Sequence, residues 1–104
     1  MARLDLDALR SAFASGRYFI STHAKQRMGE RRVSDHDVKR AVFDGDLIEE
    51  YPDARPFPKA LFMAQVEGEP LYVSCAFDGE NVYVITVHWY DSNIWADPWT
   101  RRKG

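Results

Sequence analysis

The chain has 104 residues, of which 45% are hydrophobic, 29% are charged and 13% are aromatic. This length predicts a single domain over 1–104, and the composition predicts a packed core rather than a disordered chain. The formal net charge of −2 excludes a polybasic protein of the histone type. Because Cys75 is the single cysteine and no long apolar run occurs, we expect a cytoplasmic protein without disulfides or membrane spans.

Positive charge is concentrated in the first part of the chain. Residues 1–40 contain nine Lys and Arg side chains against five acidic ones, so residues 41–104 are strongly acidic. Such an asymmetry lets a weakly acidic protein present a basic surface to a polyanion. The alternative is an ordinary scatter of surface charge.

Three helices are predicted in the N-terminal half, where apolar residues recur at helical spacing. They cover about residues 5–15, 23–32 and 34–44. Ser34 and Asp37 resemble a capping box at the start of the third helix. Between the first two helices, 18–21 is short, aromatic and β-branched, which indicates a brief edge strand or an extended lead-in.

The second half of the chain changes to the period of β-strands. Strands are predicted over about residues 47–51, 61–66, 71–77 and 82–89. Short, glycine-containing turns join the last three, so we expect antiparallel hairpins. The segment 97–104 is predicted to be a loosely docked tail. The result is an α+β domain, in which N-terminal helices pack on an antiparallel meander of about four strands.

On the second predicted helix, three chemically active side chains recur every four residues. They are His23, Arg27 and Arg31, and this spacing places them along one stripe. A guanidinium binds phosphate oxygens through two parallel hydrogen bonds, and an imidazole exchanges a proton near neutral pH. The combination suits binding or cleavage of a phosphodiester.

The same side chains have structural alternatives. His23 is also placed to cap its helix, and the two arginines have acidic residues with which to form ion pairs. Those acidic residues are Glu30, Glu49 and Glu50.

His88, near the end of the last predicted strand, is the second candidate for proton transfer. Tyr72, on the adjacent strand, donates a proton or orients a phosphate if its hydroxyl reaches the same region. The alternatives are a hydrogen-bonded histidine at a strand end and a half-buried tyrosine that favours β structure. No His or Cys pair has metal-ligand spacing and no glycine-rich phosphate loop occurs, so we expect no metal and no cofactor.

Several short motifs follow one another in a fixed order between residues 18 and 95. They are Ser21-x-His23-Ala24-x-x-Arg27-Met28-x-x-Arg31, Val33-Ser34, Asp37-Val38, Gly45-x-Leu47-Ile48-Glu49, Tyr51-Pro52-Asp53, Ile85-Thr86-Val87 and Trp95. The ordered set resembles a small bacterial family of domains of unknown function whose members are similar to BrnT-like and RelE-like toxins. The predicted N-terminal helix, within residues 1–15, lies outside the resemblance.

The resemblance implies a RelE/BrnT-like α+β fold and a metal-independent endoribonuclease activity. RelE-like toxins use basic, imidazole and tyrosine side chains to activate the ribose 2′-hydroxyl and to stabilise the phosphate, and a cognate antitoxin holds them inactive. On this basis His23 matches the family histidine, and Arg27 and Arg31 match its two arginines. The chain departs from the family at Tyr72, where relatives often have His, and at His88, where they often have Tyr. The exchange preserves a Tyr/His pair across neighbouring strands or marks a member without activity.

The leading hypothesis is an RNA-directed toxin with RNA or the ribosome as target and a cognate antitoxin as partner. Its candidate catalytic residues are His23, His88 and Tyr72, and its candidate phosphate-binding residues are Arg27 and Arg31.

Two further hypotheses use the same fold. The first is a non-catalytic module that binds a partner protein through its acidic second part or an exposed aromatic patch. The patch would comprise Trp89, Tyr90, Trp95 and Trp99. The second is a DNA-binding regulator that uses residues 23–44 as a helix-turn-helix, although the acidic first turn of its recognition helix disfavours contact with phosphates.

Overall fold

The three helices begin where the sequence provides side-chain caps. In the computed structural model, which describes residues 4–103, the helices are α1 (Leu6–Ala14), α2 (Thr22–Arg31) and α3 (Asp35–Asp44). Asp5 and Ser21 each accept a first-turn amide hydrogen bond, and Ser34 and Asp37 form the predicted capping box. The three predicted helices are therefore confirmed, while residues 1–3 of the predicted N-terminal segment lie outside the described residues. None of these helices is long and apolar enough to cross a membrane.

Five strands form the main sheet. They are β1 (Tyr18–Ile20), β2 (Asp46–Tyr51), β3 (Lys59–Val66), β4 (Glu69–Phe77) and β5 (Val82–Trp89). Their order is β1-β5-β4-β3-β2, and β2 to β5 form the predicted antiparallel meander. The segment 18–21 supplies the brief edge strand, which runs parallel to β5. The α+β fold predicted from the sequence is confirmed.

The helices cover one face of the sheet, and the main core lies between them and that face. The inward-facing residues of β4 alternate along the strand and are Leu71, Val73, Cys75 and Phe77. In β5, Val84 and Val87 both join this core although they are three residues apart. Ile85 is the extra residue of a bulge at this point, where the register with β4 shifts. Without that extra residue, strict alternation would place His88 on the helix side.

A small hairpin covers part of the opposite face. It consists of β6 (Trp95–Asp97) and β7 (Thr100–Arg101). The Trp95 side chain is fully buried and packs with Leu61, Met63 and Tyr72. Two predictions are therefore wrong. Up to residue 103 the segment 97–104 is not a loosely docked tail, and Trp95 does not belong to an exposed aromatic patch, because its large apolar ring anchors the hairpin; Gly104 lies outside the described residues.

Candidate functional site

The α2 stripe lies beside the sheet because the adjacent helix face is buried. Ala24 and Met28 are the buried residues of α2 and contribute to the main core. His23, Arg27 and Arg31 therefore lie along the flank of the helix, where side chains reach past the core toward the end of β5.

Two hydrogen bonds attach the end of α2 to the edge of β5. Edge strand β1 pairs with β5 only over residues 82–84. Beyond residue 84, helix α2 packs beside β5 instead of a strand. The Arg31 guanidinium donates to the Val87 carbonyl at 2.6 Å, and the Trp89 indole N–H donates to the Arg31 carbonyl at 2.8 Å. The backbone carbonyls of Val87 and Arg31 thus both accept a hydrogen bond, and the Arg31 side chain is held in one orientation.

An open groove of about 800 Å³ lies between α2 and the end of β5. Four of the five predicted site residues line it, namely His23, Arg27, Arg31 and His88. The groove thus brings together the stripe of α2 and the histidine of β5, which are more than fifty positions apart in the sequence. The fifth predicted residue, Tyr72, lies beneath this surface rather than in it.

His88 lies on the sheet face opposite the helices and is stacked on Tyr72. The two residues are direct partners in the register of β4 and β5, and their ring centroids are 5.1 Å apart at an interplanar angle of 8°. Burial lowers the pKa of His88, and the positive charges of Arg31 and Arg101 lower it further, against the weaker opposing effect of nearby carboxylates. The neutral imidazole, which accepts a proton, is therefore the favoured form.

Tyr72 is fully buried, and its hydroxyl is directed away from the groove into the hairpin. The hydroxyl donates to the Pro98 carbonyl at 2.6 Å, and the ring is stacked on Trp95 with centroids 4.5 Å apart. Burial raises the pKa of Tyr72 to about 12, so the phenol stays protonated at neutral pH and keeps that hydrogen bond. Tyr72 is thus the support under the His88 ring.

Arg27 and His23 lie at the exposed side of the groove. The Arg27 guanidinium forms a 2.8 Å ion pair with Glu30, and the two side chains are 37% and 48% exposed. The hydrogen bond from Arg27 also holds the pKa of Glu30 below its ordinary value. The ion-pair alternative is therefore found for Arg27, whereas Arg31 binds a backbone carbonyl instead. An exposed pair of this kind is weak, so the guanidinium can exchange Glu30 for another anion.

Two charged residues of the groove escaped the sequence analysis. Arg101 comes from β7 and Asp91 from the loop after β5. Arg101 belongs to the segment 97–104, which the sequence predicts to be a loosely docked tail, and the burial of Trp95 docks that segment instead. Counting Arg101, the groove contains three guanidiniums against the single carboxylate of Asp91. The Arg27 and Arg101 guanidiniums are already paired with Glu30 and Glu49, so an anionic ligand would bind them by replacing these carboxylates.

Other chemistries find little support among the described residues. No cluster of three or more His, Cys, Asp or Glu side chains suited to holding a metal ion occurs between residues 4 and 103. Cys75 is buried in the core, and burial raises the pKa of its thiol to about 12, so it remains a protonated core residue.

One family model matches the chain. The model describes a domain of unknown function (DUF4258) and matches residues 20–89, which extend from the end of β1 to the end of β5. Searches of curated proteins and of solved structures found no match. The matched region contains the α2 stripe and His88, and it ends before the hairpin that contains Arg101.

Proposed function

The chain belongs to the DUF4258 family of domains of unknown function, and we propose that this member is an RNA-directed toxin that cleaves RNA without a metal ion. The active site in this proposal is the groove between α2 and the end of β5. The observation that carries it is the convergence of two histidines and three arginines on one open surface. Histidines supply proton transfer and arginines supply binding of phosphate, which are the two requirements of phosphodiester cleavage.

In the proposed reaction, neutral His88 accepts the proton of a ribose 2′-hydroxyl, and the 2′-oxygen attacks the adjacent phosphorus. The bond from phosphorus to the 5′-oxygen breaks, and His23 donates a proton to that leaving oxygen. The products are a 2′,3′-cyclic phosphate and a free 5′-hydroxyl. Arg27 and Arg31 bind the phosphate oxygens and stabilise the negative charge of the transition state.

The lowered pKa of His88 supports its assignment as the base. A base must be unprotonated at the working pH, and burial together with Arg31 and Arg101 favours that form. Tyr72 acts through His88 in this proposal, because its ring supports the imidazole while its hydroxyl is bound to Pro98. The directly opposed Tyr72 and His88 fit an exchange of the Tyr/His pair between the two strands.

The biological setting follows from the resemblance to BrnT-like and RelE-like toxins. We assign the protein to the bacterial cytoplasm, with free or ribosome-bound RNA as its target and a cognate antitoxin protein as its inhibitor. An antitoxin that covers the groove would have to neutralise the arginines there, so an acidic segment suits this role.

The test is cleavage of end-labelled RNA and of ribosome-bound messenger RNA by the purified protein in the presence of a metal chelator. We expect the wild-type protein to produce fragments ending in a cyclic phosphate. His88→Ala should reduce the rate by about 10²–10⁴-fold, the usual contribution of a general acid or base. His36→Ala is the matched control, because His36 is an exposed histidine of α3 outside the groove.

Two further variants separate the roles of the groove residues. His23→Ala should reduce cleavage without loss of RNA binding, whereas Arg31→Gln should weaken both. Tyr72→Phe keeps the ring under His88 and should remain active with an unchanged pH profile; a large loss of rate in this variant would give the hydroxyl a direct role. If folded wild-type protein cleaves neither RNA and its expression does not arrest growth, the proposed activity is wrong.

An exposed aromatic surface favours a second candidate function, a non-catalytic module that binds a partner protein. Phe19, which is 58% exposed, is stacked at 5.7 Å on Tyr83, and Phe57 is stacked on the same tyrosine at 6.1 Å. This surface lies away from the groove. Under this alternative, Phe19→Ser should abolish capture of the partner, and the groove variants should leave capture unchanged.

A further inference from the structure

The C-terminal hairpin brings an additional cation to the groove. β6 and β7 follow the residues that the family model matches, which end at residue 89. Trp95 anchors the hairpin through its buried ring, and the Arg101 guanidinium lies over that ring at 4.7 Å from the centroid. The ring therefore orients the guanidinium at the wall of the groove.

A carboxylate occupies the hydrogen-bonding fork of Arg101. Arg101 Nε donates to one oxygen of Glu49 at 2.9 Å, and Nη2 donates to the other at 2.8 Å. Glu49 also accepts the hydroxyl hydrogen bond of Tyr51 at 2.6 Å. The Arg101 side chain remains 48% exposed, whereas that of Glu49 is 18% exposed. The guanidinium is thus accessible from the groove while its present partner is largely covered.

We propose that Arg101 is a second phosphate-binding site for the RNA backbone, and that Glu49 occupies it in the free protein as an internal substitute for phosphate. This inference rests on the proposed function, because it requires RNA to enter the groove. A phosphate diester presents two oxygens to a guanidinium in the same bidentate arrangement as a carboxylate. When RNA binds, one backbone phosphate replaces Glu49 on Arg101 while a neighbouring phosphate lies on Arg31.

Two observations support an exchangeable pair rather than a permanent one. The Arg101 side chain is 48% exposed, so an incoming anion can reach the guanidinium, and Glu49 keeps the hydrogen bond from Tyr51 when the pair opens. Arg101 and Arg31 also act on the same imidazole, since both lower the pKa of His88. Phosphates bound at the two arginines would therefore both lie near the residue proposed to activate the 2′-hydroxyl.

The alternative is a structural role, in which Glu49 and Arg101 serve only to fasten the hairpin to β2. The two roles differ in the sign of one effect. If the ion pair only attaches the hairpin to β2, loss of Glu49 and loss of Arg101 should weaken RNA binding to the same extent. If Glu49 competes with phosphate, loss of Glu49 should strengthen binding and loss of Arg101 should weaken it.

The experiment measures binding of a short 2′-O-methyl oligoribonucleotide, which keeps the phosphates but lacks the nucleophile. Full-length wild type is compared with Arg101→Gln and Glu49→Gln at several salt concentrations. Arg40→Gln, on α3, and Glu50→Gln, the neighbouring residue of β2, are the charge-matched controls. Thermal unfolding of each variant establishes that it is folded, and Arg101→Lys, which retains the charge without the fork, provides a milder replacement.

We expect Arg101→Gln to weaken binding about tenfold, as for one lost charged hydrogen bond. It should also reduce the slope of log affinity against log salt by about 0.7, the value for one phosphate on a single strand. Glu49→Gln should tighten binding several-fold, Arg101→Lys should fall between wild type and Arg101→Gln, and the controls should resemble wild type.

Equal weakening by Glu49→Gln and Arg101→Gln overturns the inference in favour of the fastening role. Binding that depends on Arg31 but not on Arg101 overturns it and leaves the proposed function standing. If neither the wild-type protein nor Arg31→Gln binds the oligonucleotide, the inference and the proposed function fail together.

Discussion

Replacing Trp95 by alanine removes the side chain that anchors the C-terminal hairpin, and we expect a loss of about 3–5 kcal/mol in the free energy of unfolding. The magnitude follows from the burial of the ring, which is 0% exposed, and from its stacking on Tyr72 at 4.5 Å. A domain of this size has a total stability of about 5–15 kcal/mol, so the loss is a large part of the whole.

The assay is thermal unfolding followed by circular dichroism. With an unfolding entropy of about 2.1 cal/mol/K per residue, the expected loss lowers Tm by about 14–23 °C. Trp99→Ala is the matched control, since Trp99 lies in the same hairpin, is 55% exposed and donates one hydrogen bond to Asp46. It should cost about 1 kcal/mol or less. Equal, small shifts for the two variants would refute the anchoring role of Trp95.

Two other predictions concern pH and packing. Since the pKa of His88 is lowered from its ordinary value of 6.5 in the folded state, protonation favours unfolding. The free energy of unfolding should therefore be independent of His88 above about pH 6.5 and should fall as the pH decreases through the folded-state pKa. Urea unfolding of His88→Gln should lack this fall in the free energy of unfolding. If wild type and His88→Gln lose stability in parallel as the pH decreases, the assignment of the fall to His88 is wrong. Gly45→Ala places a Cβ against the Ala41 carbonyl oxygen, closer than van der Waals contact allows, and 2.7 Å from that of Met63, so urea unfolding should reveal a loss of at least about 1–3 kcal/mol. Gly29→Ala, which has open space around it in α2, should be neutral or stabilising by about 0.5–1 kcal/mol, and similar values for the two glycines would contradict the packing argument.

Local chemistry made much of the fold predictable. Helices begin at capping residues and strands end at turns, so α2, α3 and the hairpins of β3 to β5 follow from short stretches of sequence. The stripe of His23, Arg27 and Arg31 needed only the geometry of one helix, and all three residues do line a common groove. The opposition of Tyr72 and His88, in contrast, required the bulge at Ile85, because the register that begins at Phe77 and Val82 would otherwise place Val87 opposite Tyr72.

The depth of Tyr72 and the orientation of His88 depended on more distant packing. Ile85 inserts one extra residue into β5 and so turns His88 away from the helices, which no strictly alternating pattern predicts. Tyr72 is buried because the Trp95 side chain packs over it on the sheet face opposite the helices. In the sequence of β5, apolar residues alternate on both faces of the strand, and such a pattern does not show which element covers each face.

The helices, the antiparallel meander and the stripe of α2 follow from the amino-acid sequence, because they depend on backbone periodicity and on contacts between near neighbours. The contact between Arg101 and Glu49, which are 52 positions apart, and the position of Arg101 at the groove arise only from the folding of the whole domain. Such a contact depends on how buried faces fit together across the whole domain. Its energy comes from the docking of the hairpin rather than from any local motif.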